Sequence, residues 1–358
     1  MSSKRILHTI NEFSLDGTGI TAVVLELILG QVDAGERVTV LCRSSDSDMR
    51  DMLREHGVKI IEVGSFRRVL LSCSVFGRLR ALVKAVDIIH VHTSKSMICV
   101  LLAAPIHFFR HSVATIHNPH QHSTRVMWIA HRVVALSGVQ AGDISKQTLG
   151  FVRPAAIPNG ILGGYRVPMN VKPKASNLPN LGDNAVLFVG GLYERKGLDI
   201  LVRAMQLVLQ TVPNAHLFVI GNRDRPAIET MVTDLGLESA VTFLGFRKNP
   251  IPYMAKANVF VVPSREEGFG NVLVEARAAQ VPIIASDTGG IPTALSGGRA
   301  GILVPVGDFR QIAKNIIAVL TQPSFAAELR ARTRDGIEQF TVSHFVAAYE
   351  KVYESVQS

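Results

Sequence analysis

Aromatic and sulfur-bearing residues are scarce in this chain: 358 residues hold one tryptophan, five tyrosines and three cysteines. Cys42, Cys73 and Cys99 show neither paired nor metal-ligand spacing, which fits a reducing cytoplasm and not a disulfide-stapled domain. The net charge is +9, yet the basic residues lack interleaved aromatics, so nucleic acid is not the expected partner. Long hydrophobic runs are missing too. The longest uncharged one, Met97–Phe109, is too short to span a bilayer and is broken by Pro105 and His107. No positively charged leader with a cleavable apolar segment opens the sequence, so secretion is not expected. The three-glycine dinucleotide fingerprint and the lysine-bearing triphosphate loop are both absent, which disfavours a conventional NAD enzyme or a P-loop NTPase.

What is there describes a folded protein, 47% hydrophobic and 19% charged, and its length suits two domains better than one. Charge is uneven: residues 1–165 hold 18 Lys/Arg against 12 Asp/Glu, the remainder 20 against 17, and ten of twelve histidines fall in the first half. Phe66–Val86 mixes Arg67, Arg68, Arg78, Arg80 and Lys84 with Val, Leu and Phe. Such a stretch can lie on an anionic membrane surface; the plainer reading is a solvated basic helix face.

Apolar strands alternate with helical stretches throughout. Strands are expected at Arg5–Ile10, Arg37–Cys42, Val58–Val63, Ile88–His92, Ser112–Ile116 and Arg132–Leu136, with helices at Gly19–Ala34, Met49–His56 and Phe76–Val86. Ile157–Gly160 and the Pro/Gly-rich Gly163–Pro179 read as a linker. The pattern restarts with strands at Ala185–Val189, His216–Gly221, Val241–Leu244, Val259–Val262 and Ile283–Ala285. Helices are expected at Leu198–Leu209, Ala227–Leu235 and from Asn271. The fold class is therefore α/β, two Rossmann-like, doubly wound parallel-sheet domains facing across a cleft. Residues 1–165 form the first domain, 166–340 the second, and 341–358 a closing helix able to pack back on the first.

The most informative motif is R-E-E-G-F-G-N-V-L-V-E-A, which follows the Val259–Val262 strand. Glu267 lies in the loop, and Glu275 lies about five residues into the helix, roughly 7 Å along its axis. Two acceptors so spaced suit a ligand with several hydroxyls, such as a sugar nucleotide. V-G-G-L-Y-E-R-K-G places Gly190 and Gly191 at a turn and Arg195 and Lys196 at a helix start, where a diphosphate would gain charge-assisted bonds; a surface basic pair is the bland alternative. In F-S-L-D-G-T-G-I, Gly17 and Gly19 can bring backbone donors to phosphate, though a two-glycine turn is weak alone. T-I-H-N-P-H sets His117 just past a strand, where it can bond a substrate hydroxyl. His117, His120 and His122 have no carboxylate or cysteine nearby to complete a metal site, so none is expected. I-A-S-D-T-G-G-I-P either frames the same cleft or is simply a tight turn.

Taken in order, T-G-I, His117, V-G-G-L-Y-E-R-K-G and E-G-F-G-N-V-L-V-E resemble the retaining glycosyltransferases of family four (glycosyl transferases group 1), which have the GT-B architecture. The resemblance spans roughly residues 10–300, and I-P-N-G and S-D-T-G-G-I-P support it. It implies that Glu275 holds the nucleotide ribose, Arg195 and Lys196 the diphosphate, and Glu267 the donor sugar. Phe269, Gly270 and Asn271 would contact sugar or phosphate through backbone N–H groups. Gly19 would approach phosphate, Gly191 would shape the donor loop, and Phe246, in the Gly245–Arg247 loop, would lie against the base. His117 would sit near the reacting face of the transferred sugar. The chain departs from the family at Thr18, where a second glycine is common, at Thr293, where glutamate is usual, at Ile161-Leu162 in place of Val-Asp, and after Gly221.

The expected activity is metal-independent, retaining transfer of a sugar from a nucleoside diphosphate sugar to a saccharide or lipid-linked saccharide, with no cofactor. The setting would be cell-surface polysaccharide or glycolipid synthesis, cytoplasmic or peripheral on the inner face of the membrane. The rivals are a sugar-nucleotide epimerase on the same architecture, which would need no acceptor, and a non-catalytic sugar-nucleotide-binding protein.

Overall fold

A computed structural model describes residues 3–14, 19–117, 122–165, 167, 180–222 and 225–357. Two compact units are present, Met1–Arg166 with Gln339–Ser358, and Val167–Glu338. Most of the expected linker, and residues 15–18 of the first glycine loop, lie outside the described residues.

The first unit runs β1 (Arg5–Phe13), α1 (Gly19–Asp33), β2 (Arg37–Ser45), α2 (Ser47–Glu55), β3 (Lys59–Glu62), α3 (Phe66–Leu71), α4 (Cys73–Lys84), β4 (Ile88–Val91), α5 (Ser94–Ala103), α6 (Pro105–His111), β5 (Ser112–Ile116), β6 (Arg132–Ala135), α7 (Gly138–Gln147) and β7 (Ala155–Ala156). Its seven strands are all parallel, in the order β3-β2-β1-β4-β5-β6-β7. Every residue of β4 and β5 is buried, as expected of strands covered by helices on both faces. Local signals set the helix starts: the Asp46 carboxylate accepts from Met49 N at 2.7 Å, and Ser137 caps α7 in the same way.

The apolar run at 97–109, to which the sequence pattern assigns no element, forms α5 and α6. Pro105 stands at the first turn of α6, where its missing N–H is harmless, and thereby divides the run into two short helices. No helix among the described residues is long and apolar enough to cross a membrane. Likewise α4 starts at Cys73, three residues before the expected Phe76, and α3 precedes it.

The second unit runs β8 (Ala185–Val189), α8 (Leu198–Thr211), β9 (His216–Ile220), α9 (Arg225–Asp234), β10 (Val241–Gly245), α10 (Ile251–Lys256), β11 (Val259–Val262), α11 (Asn271–Ala278), β12 (Ile283–Ser286), α12 (Ile291–Ala294), β13 (Ile302–Val304), α13 (Phe309–Thr321) and α14 (Pro323–Arg332). Its parallel order is β10-β9-β8-β11-β12-β13, so both sheets reverse direction beside their first strand. The two parallel sheets expected from the alternation are borne out. The core under the second sheet joins α8 and α13 to β8, β9 and β11 through Leu201, Met205, Ile312, Ile316 and Val261.

The last helix, α15 (Val342–Gln357), belongs to the first unit. It buries Val342, Phe345, Val346, Tyr349, Val352, Tyr353 and Val356, a stripe of period three to four. Gly30 of α1 permits the approach: a Cβ there would lie 2.6 Å from a Val342 methyl.

Candidate active site

In the second sheet β8 and β11 are neighbours, and their carboxyl ends flank the point where strand order reverses. The two strongest motifs follow these two strands, which brings together loops 71 residues apart in sequence. Arg265 N donates to Arg195 O at 2.8 Å, and the Arg265 guanidinium donates to Glu194 O and, bidentately, to the Asp199 carboxylate at 2.7 and 2.6 Å. Burial raises the Asp199 pKa, but the Arg265 hydrogen bonds and charge outweigh this and leave it below the ordinary carboxylate value. The βα turn after β8 is therefore clamped to the one after β11.

This clamp sets the Lys196 ammonium directly on the Glu267 carboxylate, both largely buried. The S-D-T-G-G-I-P turn supports the same loop: Gly290 N donates to Glu267 O at 3.2 Å, and a Cβ on Gly290 would fall 2.3 Å from Gly268 O. The turn is thus tight and also frames Glu267. Phe269 is buried beneath the loop, Gly270 sits in the left-handed region at φ 87°, and Asn271 starts α11. Glu275, the fifth residue of that helix, is 2% exposed.

α11 is anchored by Arg277, which the sequence pattern does not single out. Its guanidinium is fully buried and donates to Thr333 O, Ala294 O, Asp335 O and Ser296 Oγ. Burial lowers its pKa to about 10, partly offset by Glu338 and Asp335. Arg195 sits 5.6 Å from the Tyr193 ring centroid, and Gly191 lies in the same turn. Phe246 stands apart, half exposed after β10 at the sheet edge, two strands from β8.

His117 and Gly19 belong to the first unit, where Gly19 opens α1 and His117 follows β5. His120 lies outside the described residues, as does the side chain of His122. The histidines gathered at His117 are different ones: His8 on β1, His90 on β4 and His92 just beyond it. His8 pairs in register with His90, and strand alternation puts His90 and His92 on one face. His92 Nδ1 lies 3.0 Å from His117 Nε2, and His8 Nδ1 lies 2.9 Å from His92 Nε2. His8 Nε2 reaches Gln31 Oε1 at 2.8 Å, while His90 bonds Tyr353 and Thr115, both at 2.8 Å. Burial pushes His8 and His117 down to about 4, and lowers His90 and His92 well below the ordinary histidine value. The ring nitrogens of His8, His90 and His92 are close enough to form a metal-ligand set, but all six already have hydrogen-bond partners. The H-x-H spacing in a buried strand, facing His8, was the sequence signal for this cluster.

A cavity of about 450 Å³ opens at the carboxyl ends of β1 and β2, lined in part by Asn11, the ion-paired Glu12 and Arg43, Ser65, Arg67 and Lys95.

Residues 17–161 match the family model Glycosyltransferase Family 4, and residues 183–322 match Glycosyl transferases group 1. The chain is 28% identical over 362 residues to a phosphatidyl-myo-inositol mannosyltransferase of Mycobacterium leprae, covering 94% of this chain and 93% of that relative. It is 32% identical over 162 residues to the capsular polysaccharide biosynthesis glycosyltransferase CapM of Staphylococcus aureus, covering 44% of this chain and 42% of the relative. The crystal structure of Anabaena HepE in complex with UDP and glucose has the same fold, with TM-score 0.81 at 21% identity over 98% of this chain and 100% of that one.

Proposed function

This chain is a glycosyltransferase of family four with the GT-B architecture, and from that premise we propose that it transfers a sugar from a nucleoside diphosphate sugar to a saccharide or glycolipid hydroxyl, with retention of anomeric configuration. The observation that carries this reading is the Lys196–Glu267 ion pair at the strand-order reversal, with Arg195 on the same turn as Lys196 and Glu275 on the helix that follows Glu267. Glu275 takes the ribose hydroxyls, Glu267 the hydroxyls of the donor sugar, and Arg195 and Lys196 the diphosphate. Lys196 neutralises Glu267; a bound diphosphate would draw the ammonium towards itself and leave the carboxylate to accept from the sugar.

In the reaction the bond from the anomeric carbon to the diphosphate oxygen breaks as the acceptor oxygen attacks from the same face. The acceptor proton passes to the departing phosphate oxygen. Fixed cations in a partly buried site stabilise the charge that develops there. They supply what a divalent ion supplies elsewhere, so chelation by EDTA should leave the rate unchanged. Glu267, held by Lys196, is a sugar ligand and not a nucleophile. His117 bonds a substrate hydroxyl.

The cavity holds Arg67 and Lys95 beside the ion pair of Arg43 with Glu12, a lining of net positive charge that suits an acceptor bearing phosphate or another acidic group. An anionic membrane surface is consistent with Ile98, Leu102, Ile106 and Phe109, which stand exposed on α5 and α6 beside Lys95 and Arg110. That combination supports a role in cell-surface polysaccharide or glycolipid synthesis. CapM is by its description a capsular polysaccharide biosynthesis glycosyltransferase, and the Mycobacterium leprae relative is a phosphatidyl-myo-inositol mannosyltransferase.

The decisive test is a thermal-shift panel of UDP-, GDP- and ADP-sugars followed by a donor-only product assay. One donor at a hundredfold its dissociation constant should stabilise the protein by about 2.7 kcal/mol. Epimerised sugar formed without acceptor would make the enzyme an epimerase, and binding with no turnover would make it a binding protein.

A further inference from the structure

The buried polar network behind His117 has a definite proton order. Gln31 Nε2 donates to the Tyr353 hydroxyl at 2.9 Å, which leaves Oε1 to accept from His8 Nε2. A neutral imidazole that donates from one nitrogen is bare at the other. His8 Nδ1 is therefore an acceptor, and His92 Nε2, at 2.9 Å, must be its donor. The same step repeats outward: His92 Nδ1 is bare, and His117 Nε2, at 3.0 Å, must donate to it. Burial keeps all these rings neutral, so no ring carries a second proton that would break the order.

A second branch holds the starting point. Tyr353, accepting from Gln31, gives its own proton to His90 Nδ1, and His90 Nε2 donates to Thr115 Oγ1, which also meets the Tyr349 hydroxyl at 2.7 Å. Reversing the order would require Gln31 to turn over, Tyr353 to donate to it, and the ring protons of His8, His92, His117 and His90 to move together. The network joins β1, β4, β5, α1 and α15, all within the first unit.

We propose that Gln31, His8 and His92 are positioning residues that hold His117 as its Nε2–H tautomer, so that Nδ1 presents a lone pair to a substrate hydroxyl. The role of His117 rests on the transferase reading above; the tautomer itself does not. Gln31 lies three hydrogen bonds from His117 and touches no substrate.

The test uses the full chain labelled with ¹⁵N-histidine, read by long-range ring spectra without substrate, together with steady-state transfer kinetics. The wild-type protein should show a pyrrole-type Nε2 and a pyridine-type Nδ1 at His117. In Gln31→Met the His8 Nε2–H loses its acceptor. A buried N–H left unmet costs more than a bare nitrogen left unmet, so the proton order should reverse and an Nδ1–H appear on His117. kcat should fall by about tenfold with donor KM nearly unchanged, the signature of an interaction made in the transition state. Gln31→Glu keeps an acceptor for His8 and should restore both the tautomer and kcat. An Nδ1–H on wild-type His117 overturns the proposal, even if Gln31→Met does not fold. So does a Gln31→Met enzyme whose His117 spectrum or kcat is unchanged. Failure to bind any nucleoside diphosphate sugar would instead reject the transferase reading and leave the tautomer measurement standing.

Discussion

At the scale of single residues, the donor site separates binding from turnover. Glu275 is buried on α11, and the role proposed for it is that of a fixed acceptor for the ribose hydroxyls. Glu275→Ala should raise the donor KM by about tenfold or more, the weight of hydrogen bonds to a charged group. Arg195→Ala and Lys196→Ala should mainly depress kcat, by on the order of a hundredfold for a preorganised charge stabiliser. Unchanged kinetics in all three variants would reject the site assignment. Arg277, two residues further along the same helix, does a different job. Its guanidinium satisfies three backbone carbonyls and the Ser296 hydroxyl, so Arg277→Met should lower stability by about 1–3 kcal/mol in a urea titration. The sequence announced Glu267, Glu275, Arg195 and Lys196 because each sits at a fixed offset from a strand end or a glycine. It did not announce Arg277, whose partners lie 17 to 58 residues further along.

At the scale of elements, two glycine substitutions should act in opposite directions. Gly290→Ala forces a Cβ onto the Gly268 carbonyl at 2.3 Å and towards Phe269 Cα at 2.6 Å, both backbone atoms. The loop that presents Glu267 must shift, at about 1–3 kcal/mol, and activity should fall with stability. Gly142 in α7 has open space around it, and Gly142→Ala should add about 0.5–1 kcal/mol through helix propensity. Paired thermal melts decide; equal shifts of the same sign would contradict the loop contact. The apolar faces of α5 and α6 make a third case. Ile106, 74% exposed, should matter for membrane contact, so Ile106→Asp should weaken cosedimentation with phosphatidylglycerol vesicles at low salt. Failure of the wild-type protein to cosediment would count against membrane association. Pro105 shows how a single residue shapes such elements. The hydropathy of the run was plain in the sequence, but not that its two pieces pack as neighbouring helices.

At the scale of the molecule, the histidine network ties fold stability to pH. Unfolded histidine titrates near 6.5, whereas burial brings His8 and His117 down to about 4 in the fold and lowers His90 and His92 well below the ordinary value. Below pH 6.5 the unfolded chain therefore binds protons that the native chain does not. Stability should be fully present above that pH and fall towards pH 4, by about 1.4 kcal/mol per pH unit for each such histidine. The carboxylates with lowered pKa, Glu62, Asp87 and Asp199, act only below their unfolded value, so the window from 6.5 to 5 isolates the histidines, to which His107, His131 and His216, lowered by burial, add a smaller share. Urea midpoints at pH 7.5 and 5 measure this, and a midpoint that holds steady would contradict it. By itself the sequence determined two runs of alternating strand and helix and the chemistry waiting at their strand ends. Periodicity, caps and glycine turns act over a few residues and can be read locally. Only the tertiary structure decided which strands lie side by side. That adjacency sets Lys196 on Glu267, gathers three histidines behind His117 and returns α15 to the first unit, because each contact closes a loop of tens to hundreds of residues through packing that no local pattern encodes.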